Sequence, residues 1–279
     1  MPLIFVPTPL GNLRDVTLRA LDVLREADVV VAEDTRVARR LLQALKIEGR
    51  EIWSYREQNA PRVTRGILER ARTGLVAVTA DAGTPGISDP GTDLAAAARA
   101  AGIAVEVLPG PSAAVGVALL SGFPLRTFAF EGFPPRASSA RLERYRAALR
   151  HETTSIWFET PQRIRASLAD LAGIAPDARV FLVREYTKLH EQQLYGTAQE
   201  VAAALPDPVR GEIAFAIAPY RAARTPADPT AAIDALLATG ERVGEVAKQL
   251  AAQGFGDRRA LYQRAVKRKA GPKAPLKQR

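Results

Sequence analysis

The sequence predicts an α/β protein made of two α/β units, followed by a small helical region at the C-terminus. Short β-branched segments alternate with helical patterns as far as residue 220, as in parallel α/β sheets. In the first unit these segments are continuous apolar runs, which is typical of strands buried on both faces. After residue 220 only helical patterns follow. We therefore expect domains at residues 1–122, 123–220 and 221–279.

In the first unit, one helix lies between the first two predicted strands. Leu18, Leu21 and Leu24 recur at nearly helical spacing, and Asp15 is the expected N-cap of this helix. The predicted strands of the unit are residues 3–6, 28–32, 52–55, 75–79 and 104–108.

The second unit has strands predicted at residues 127–130, 155–158, 180–183 and 212–217, and helices at 141–149, 164–171 and 198–205. A segment rich in Pro, Ala and Arg, residues 219–229, is the expected linker. Beyond it, helices are predicted at residues 231–237, 243–252 and 258–268.

The composition excludes some kinds of catalytic and metal site. The chain of 279 residues has no cysteine and two histidines, His151 and His190, which excludes thiolate chemistry and leaves few ligands for a metal. We therefore expect no metal. The N-terminus has no basic leader, and no uncharged apolar stretch reaches the roughly 18 residues that span a bilayer. The expected location is the cytoplasm, with no membrane partner.

The loops that follow the first-unit strands are the informative segments, because ligands of open parallel sheets bind beyond the carboxyl ends of the strands. Residues 81–91 hold three glycines, two prolines and two aspartates, which is typical of a binding loop. Residues 7–15 contain Pro9 and Gly11 but no dinucleotide-binding glycine motif. Residues 33–36 are either a helix N-cap or part of a site, and Ser112 is the expected cap of a helix after residues 109–111. Taken together, these loops indicate a cleft that binds a small molecule, rather than turns with a purely structural role.

Six motifs carry a family resemblance. In chain order they are VPTPLGNLRDVTLRAL, VVVAEDTR, DAGTPGISDPG, LPGPSAAV, FEGFPPR and GEIAFAI, and the later FGDRRALYQRAV matches the same family's C-terminal region. They resemble the ribosomal RNA small-subunit methyltransferase I family of the tetrapyrrole methylase superfamily. The resemblance implies a homodimer whose cofactor cleft lies between two α/β units. It also implies methylation, by S-adenosylmethionine, of the ribose 2′-hydroxyl of a cytidine in 16S rRNA, within the small ribosomal subunit.

The motif loops supply the residues expected to bind this methyl donor without a metal. They are Pro9, Gly11, Asp81, Ala82, Gly83, Thr84, Ser88, Asp89, Pro109, Gly110, Ser112, Glu131 and Gly132. Two positions depart from the family pattern, since Gln58 and Gln162 stand where the family often has histidine. A mechanism that depends on either histidine is therefore in doubt here, while Glu159 and Arg163 remain candidates.

With histidine in short supply, carboxylates or a neutral lysine are the expected bases. Glu185 and Lys188 share a face if they lie on a helical turn, and the alternative is a surface ion pair. Glu131 is expected to be either a catalytic carboxylate or a hinge residue beside Gly132. His190 is expected at the surface.

All of the net charge of +9 lies at the C-terminus, because residues 258–279 hold nine basic and no acidic residues. Such a footprint suits RNA phosphates. The expected RNA contacts are Arg258, Arg259, Lys267, Arg268 and Lys269, whereas from Gly271 onward a solubilising tail is the better interpretation. Two other functions stay open: a tetrapyrrole or other small-molecule methyltransferase of the same fold, and a non-catalytic RNA-binding protein of ribosome assembly.

Overall fold

The computed structural model describes residues 2–88, 91–221, 228–252 and 255–269. The chain forms two compact units, Met1–Tyr220 and Arg221–Arg279. Three sequence expectations fall outside the described residues: the donor contact of Asp89, most of the linker, and the tail beyond Lys269.

The first sheet is parallel throughout, with strand order β3-β2-β4-β1-β5. Its strands are β1 (Leu3–Val6), β2 (Val29–Ala32), β3 (Glu51–Ser54), β4 (Val76–Thr79) and β5 (Val105–Val107). Every residue of the three central strands is buried, as their continuous apolar runs predict. The helices of this layer are α1 (Leu18–Glu26), α2 (Thr35–Ala44), α3 (Ala60–Thr73) and α4 (Gly91–Ala100).

The predicted cap of α1 is wrong. Asp15 ends a short 3-10 turn, and Thr17 is the N-cap, with its hydroxyl oxygen accepting the N–H of Ala20. The extended residues 16 and 17 separate the turn from the helix, so Asp15 lies too far back to cap it.

The second sheet is mixed, with strand order β6-β7-β10-β8-β9. Its strands are β6 (Phe128–Gly132), β7 (Thr154–Glu159), β8 (Arg179–Arg184), β9 (Gln192–Thr197) and β10 (Ile213–Ile217). The pair β6 and β7 is parallel, and the other neighbours are antiparallel. The sequence analysis missed β9, because an edge strand half open to water needs few apolar residues.

Four helices accompany the second sheet: α5 (Ala113–Leu120), α6 (Ser138–Arg150), α7 (Ile164–Ile174) and α8 (Ala198–Ala204). Helix α5 connects the two sheets. Its buried residues Ala114 and Val117 pack with Ile156 and Phe181 of the second sheet. Although α5 precedes residue 122, it therefore packs on the second sheet.

The C-terminal unit has three helices, α9 (Thr230–Ala238), α10 (Val243–Ala252) and α11 (Arg258–Lys269). Ile233, Val246, Leu250, Leu261 and Ala265 form its core. Among the described residues, every helix is too short or too polar to cross a lipid bilayer.

Candidate functional site

A cavity of about 360 Å³ lies between the strand-end loops of the first sheet and the second sheet. Its volume is within the roughly 300–1,000 Å³ that is usual for small-molecule sites. From the first-sheet side and α5 it is lined by Leu10, Glu33, Ala80, Asp81, Ala82, Gly83, Thr84, Ile87, Ser88, Ser112, Ala113 and Ala114. From the second sheet it is lined by Phe133, Phe158, Glu159, Thr160, Pro161, Val183, Tyr186, Gly211, Glu212, Ile213 and Ala214.

Hydrogen bonds join three strand-end loops into one wall of the cavity. Thr8 and Gly83 exchange two backbone hydrogen bonds of 2.9 and 3.0 Å, and the buried Thr8 hydroxyl donates to the Ala80 carbonyl. The Thr84 hydroxyl donates to the Pro111 carbonyl at 2.9 Å. Gly83 has φ +79°, a conformation that favours glycine. The loops after β1, β4 and β5 are thus held in one fixed arrangement.

Six of the predicted donor residues line this cavity, namely Asp81, Ala82, Gly83, Thr84, Ser88 and Ser112. Pro9, Gly11, Pro109, Gly110, Glu131 and Gly132 lie outside the lining. Gly110 has a packing role, because a Cβ there would come within 2.6 Å of the Pro7 ring. Ser112 occupies the N-cap position of α5, but its side chain makes no capping hydrogen bond.

Two aspartates at the first-sheet wall have pKa values that are shifted in opposite directions. Burial raises the pKa of Asp81, and the negative charges of Asp34 and Glu212 add to this shift. Hydrogen bonds from Arg36 hold the pKa of Asp34 well below its usual value. Asp34 is therefore a paired carboxylate, whereas Asp81 presents a carboxyl group to the cavity that gains from a nearby positive charge.

Beside the opposite wall, Lys188 joins two carboxylates, and of these three residues only Glu212 lines the cavity. Its Nζ lies 2.9 Å from Glu185 Oε1 and 3.1 Å from Glu212 Oε2. The same Glu185 oxygen accepts the backbone N–H of Glu212 at 2.8 Å. The predicted pair thus forms, together with Glu212, a residue that the sequence analysis did not single out.

The turn that carries this cluster is not helical, in contrast to the expected arrangement. Glu185 and Thr187 have φ values of +55° and +66°, which non-glycine residues rarely adopt. The side chains meet because the chain reverses tightly, with the Lys188 N–H donating to the Glu185 carbonyl. Two glycines make room: a Cβ at Gly11 would lie 2.2 Å from Lys188 Cγ, and one at Gly211 would lie 2.4 Å from Glu185 Cγ.

The pKa values of Lys188 and Glu185 are shifted so that each group is charged. Burial alone would lower the pKa of Lys188, but hydrogen bonds to Glu185 and Glu212 outweigh it and raise that pKa. For Glu185, burial raises the pKa, but the Glu212 N–H and Lys188 overcome this, so the pKa is lowered. Because its own pKa is raised, Lys188 is an ammonium at neutral pH and cannot be the neutral base considered from the sequence.

Glu159 lies in the cavity wall with a fully buried side chain. It accepts hydrogen bonds from the Thr160 N–H and the Ser167 hydroxyl, and Arg163 lies 3.3 Å away. Because these three partners hold its carboxylate in place, Glu159 is a structural anchor of the wall. Arg163 in turn donates to the carbonyls of Pro134 and Pro135.

Other candidates lie away from the cavity. Glu131 forms an ion pair with Arg144, and Gly132 beside it has φ +70°. Gln58, Gln162 and His190 are exposed, and none of them lines the cavity.

In the C-terminal unit, Arg268 differs from the other predicted RNA contacts. It donates to Asp234 with Nε at 2.8 Å. Arg258, Arg259, Lys267 and Lys269 are exposed, and within the described part of the chain they form no ion pair. Over those same residue ranges, no three His, Cys, Asp or Glu side chains are grouped to hold a metal ion.

Comparison with known proteins identifies the family. The model for Tetrapyrrole (Corrin/Porphyrin) Methylases matches residues 2–202. A ribosomal RNA small subunit methyltransferase I of Neisseria meningitidis serogroup B is 38% identical over 94% of this chain and 91% of its own length. This chain belongs to the ribosomal RNA small subunit methyltransferase I family, within the tetrapyrrole methylases. The relative of the same name from Thermotoga maritima is 42% identical over 71% of this chain and 89% of its own.

Solved structures share the fold. Diphthine synthase matches with a TM-score of 0.62 at 15% identity, covering 78% of this chain and 90% of its own. Uroporphyrin-III C-methyltransferase from Thermus thermophilus, solved with S-adenosylhomocysteine, matches with a TM-score of 0.55 at 22% identity, covering 78% and 97%. The family therefore shares the two-sheet architecture predicted from the sequence.

The sequence reasoning missed Phe133, Phe158, Tyr186 and Glu212 as cavity residues. Phe133 lies within the FEGFPPR motif and Glu212 is the second residue of GEIAFAI, so a motif contained each of them. Phe158 and Tyr186 stand at strand ends, within the stretches WFETPQR and REYTK that are comparable with the family pattern.

Proposed function

We propose that this protein transfers a methyl group from S-adenosylmethionine to the ribose 2′-hydroxyl of a cytidine in 16S rRNA. The observation that carries the proposal is the cavity at the first-sheet loops, in a chain whose relatives are named ribosomal RNA small subunit methyltransferase I. We propose that the enzyme works in the cytoplasm on the small ribosomal subunit.

The residues present fit the donor. When bound, it supplies an activated methyl group on a positively charged sulfonium. Asp81 offers a carboxyl group that gains from a positive charge, and the apolar side chains of Leu10, Ile87 and Phe158 line the same cavity. Gly83 brings backbone to the wall where a Cβ would lie 3.1 Å from Leu10 Cδ2. In this proposal these groups bind and orient the donor without a metal.

The Lys188 cluster then acts on the hydroxyl. A ribose hydroxyl is a weak acid, and a positioned base typically contributes a factor of about 10² to 10⁴. We propose that the Lys188 ammonium holds the hydroxyl oxygen and that the carboxylates of Glu185 and Glu212 take up its proton. Glu131 stands outside this set because it pairs with Arg144, and we propose that it acts beside the hinge at Gly132.

A tetrapyrrole substrate is the alternative within the same fold. The solved structure named for uroporphyrin is 22% identical, whereas the relatives named for ribosomal RNA are 38% and 42% identical. The basic C-terminal unit also favours RNA, because the exposed arginines of α11 suit the phosphates of a nucleic-acid backbone.

We further propose a homodimer joined through α5. This helix buries Ala114, Val117 and Ala118 on one face, and it leaves Val115 59% and Leu119 74% exposed on the other. Because a helix that is apolar on both faces requires cover on both, a second copy is the proposed cover.

The decisive experiment maps ribose methylation in rRNA from cells with and without the gene, and then repeats the reaction with purified enzyme, donor and small subunits. A single cytidine 2′-O-methyl that disappears on deletion and returns in vitro supports the proposal. Methylation of an added porphyrinoid instead would support the alternative, and an unchanged RNA together with retained subunit binding would support a non-catalytic assembly role.

A further inference from the structure

Phe133 is a large aromatic side chain at the rim of the cavity. It lines the cavity, yet 49% of the residue is exposed. Its ring meets that of Phe158 edge-on, with the centroids 5.8 Å apart, and Phe158 meets Phe130 at 4.8 Å. Three aromatic rings therefore run from the second sheet to the cavity mouth, and the last of them keeps a surface open to solvent.

The segment just after Phe133 is held by two arginines. Arg141 Nη1 donates to the carbonyls of Pro135 and Arg136 at 3.2 and 3.0 Å. Arg163 Nη2 donates to the carbonyls of Pro134 and Pro135. We call this arrangement, Arg141 and Arg163 on the carbonyls of residues 134–136, the arginine clamp.

Each arginine of the clamp is itself anchored by a carboxylate. Arg141 Nη2 lies 2.6 Å from Asp170, which also accepts the Ser138 hydroxyl, and Arg163 pairs with the buried Glu159. Ion pairs this buried contribute little net stability relative to apolar packing. Their value lies in position, since they fix a short loop whose two prolines already restrict the backbone.

A rigidly held, half-exposed ring beside a reaction cavity suits a planar ligand. Sequence-specific RNA recognition mostly targets unpaired nucleotides, and their unstacked bases commonly stack on Phe, Tyr or Trp. The donor is expected inside the cavity, at the first-sheet loops and Phe158, whereas Phe133 keeps a half-exposed ring at the rim. The geometry therefore suits contact with the substrate rather than with the donor.

We propose that the Phe133 ring is the platform on which the base of the target nucleotide stacks, and that Arg141 and Arg163 are positioning residues for it. The inference rests on the proposed function, because it assumes a nucleotide substrate. It assigns Phe133 to substrate binding, and it assigns the buried clamp a role that its contribution to folding does not explain.

The test compares Phe133→Ala and Phe133→Leu with Phe133→Tyr and Phe133→Trp, using purified small subunits as substrate. Loss of one stacked base typically weakens binding by about 5-fold to 150-fold. We expect KM for the subunits and their Kd to rise within that range for Ala and Leu, while Tyr and Trp stay close to wild type. The affinity for S-adenosylhomocysteine, measured by calorimetry, should not change in any of the four.

Phe128→Ala is the matched control, because Phe128 begins β6, the strand that ends just before Phe133, is 43% exposed and lies outside the cavity lining. For the clamp, Arg163→Lys should raise the same KM, and combining it with Phe133→Ala should add little, since both changes remove one interaction. A purely structural role for Arg163 would instead lower the melting temperature and leave the effect of Phe133→Ala intact.

The outcomes separate the two proposals. If wild-type enzyme methylates the subunit and Phe133→Leu matches it in KM and Kd, the stacking inference is wrong. If S-adenosylhomocysteine affinity falls instead, the ring contacts the donor and the inference is again wrong. If wild-type enzyme leaves ribose unmodified, the proposed function fails, and a loss of subunit binding in Phe133→Ala would still support the stacking role while unchanged binding would overturn it.

Discussion

Lys188 Nζ lies within hydrogen-bond distance of two carboxylates, 2.9 Å from Glu185 and 3.1 Å from Glu212. The three side chains come from two segments, the turn after β8 and the start of β10, and they are 28%, 22% and 72% exposed respectively. This arrangement keeps a positive charge beside the cavity, and in the proposed function the cluster binds and deprotonates the ribose hydroxyl.

The first prediction is that Lys188→Met and Glu185→Gln each lower single-turnover methylation by about 10²-fold or more, the usual contribution of acid–base catalysis. Affinity for S-adenosylhomocysteine should change little. Because the pKa of Lys188 is raised above its ordinary 10.5, the charge that it supplies is lost only at pH values above this. The exposed Lys46 provides the control variant, Lys46→Met. Wild-type turnover in both mutants would contradict the role proposed for the Lys188 cluster.

The second prediction concerns Asp81 and the charge of the donor. Asp81→Asn should weaken S-adenosylmethionine, which is cationic, by about tenfold, as for a loss of roughly 1.4 kcal/mol. The neutral S-adenosylhomocysteine should be affected much less. Since burial raises the pKa of Asp81, wild-type affinity for the cationic ligand should fall as the pH drops through that raised pKa.

Calorimetry with both ligands across pH 4 to 8 measures this difference. Asp22→Asn, an exposed change on α1, is the control. Equal losses for the two ligands would mean that Asp81 shapes the loop and does not respond to the sulfonium.

The third prediction concerns the space that Gly11 leaves for the Lys188 side chain. Gly11→Ala should push Lys188 aside, because the new Cβ would lie 2.2 Å from Lys188 Cγ. A displacement of about 1 Å at a reacting group can cost on the order of 10² in rate. Gly173→Ala has open space in α7, so it should leave the rate unchanged and stabilise the fold by about 0.5–1 kcal/mol. Rates and thermal unfolding on both variants test this, and an unaffected rate in Gly11→Ala would contradict the proposed role of Lys188.

The fourth prediction separates affinity for RNA from choice of nucleotide. Deleting residues 258–279 would remove Leu261 and Ala265 from the core of the C-terminal unit, so charge replacement is the cleaner test. Changing Arg258, Arg259, Lys267 and Lys269 together to Gln should flatten the slope of log affinity against log salt by about 3, at 0.7 to 0.9 per phosphate. The modified nucleotide should stay the same, since phosphate contacts carry no base identity.

A salt titration followed by mapping of the methyl group measures both parts. Lys248→Gln, on α10, is the control. An unchanged slope would return these charges to a solubilising role, and a shifted site would mean that the C-terminal unit reads RNA shape or sequence.

The fifth prediction is that Leu119→Glu produces monomers in sedimentation velocity, because it sets a charge on the exposed apolar face of α5. Arg146→Gln on the exposed face of α6 also lowers the net charge by one unit, and it should leave the dimer intact. A wild-type protein that sediments as a monomer would dismiss the dimer proposal altogether.

Sequence alone determined the alternation of strands and helices and the loops that build the first-sheet wall of the cavity. These features are local. Continuous runs such as Val29–Ala32 and Val76–Thr79 identify buried strands. The glycines and prolines of residues 81–91 predict an irregular loop, whatever tertiary contacts that loop makes.

Tertiary structure decided which side chains meet. Glu212 joins Lys188 across 24 residues, and Arg141 reaches Asp170 across 29, so neither contact follows from spacing in the sequence. The polar edge strand β9 and the left-handed turn at Glu185 are likewise set by neighbours and not by local preference. The physical reason is that pairing and pKa depend on distance in space: burial lowers the pKa of Lys188, and the two carboxylates that folding brings to it outweigh that effect.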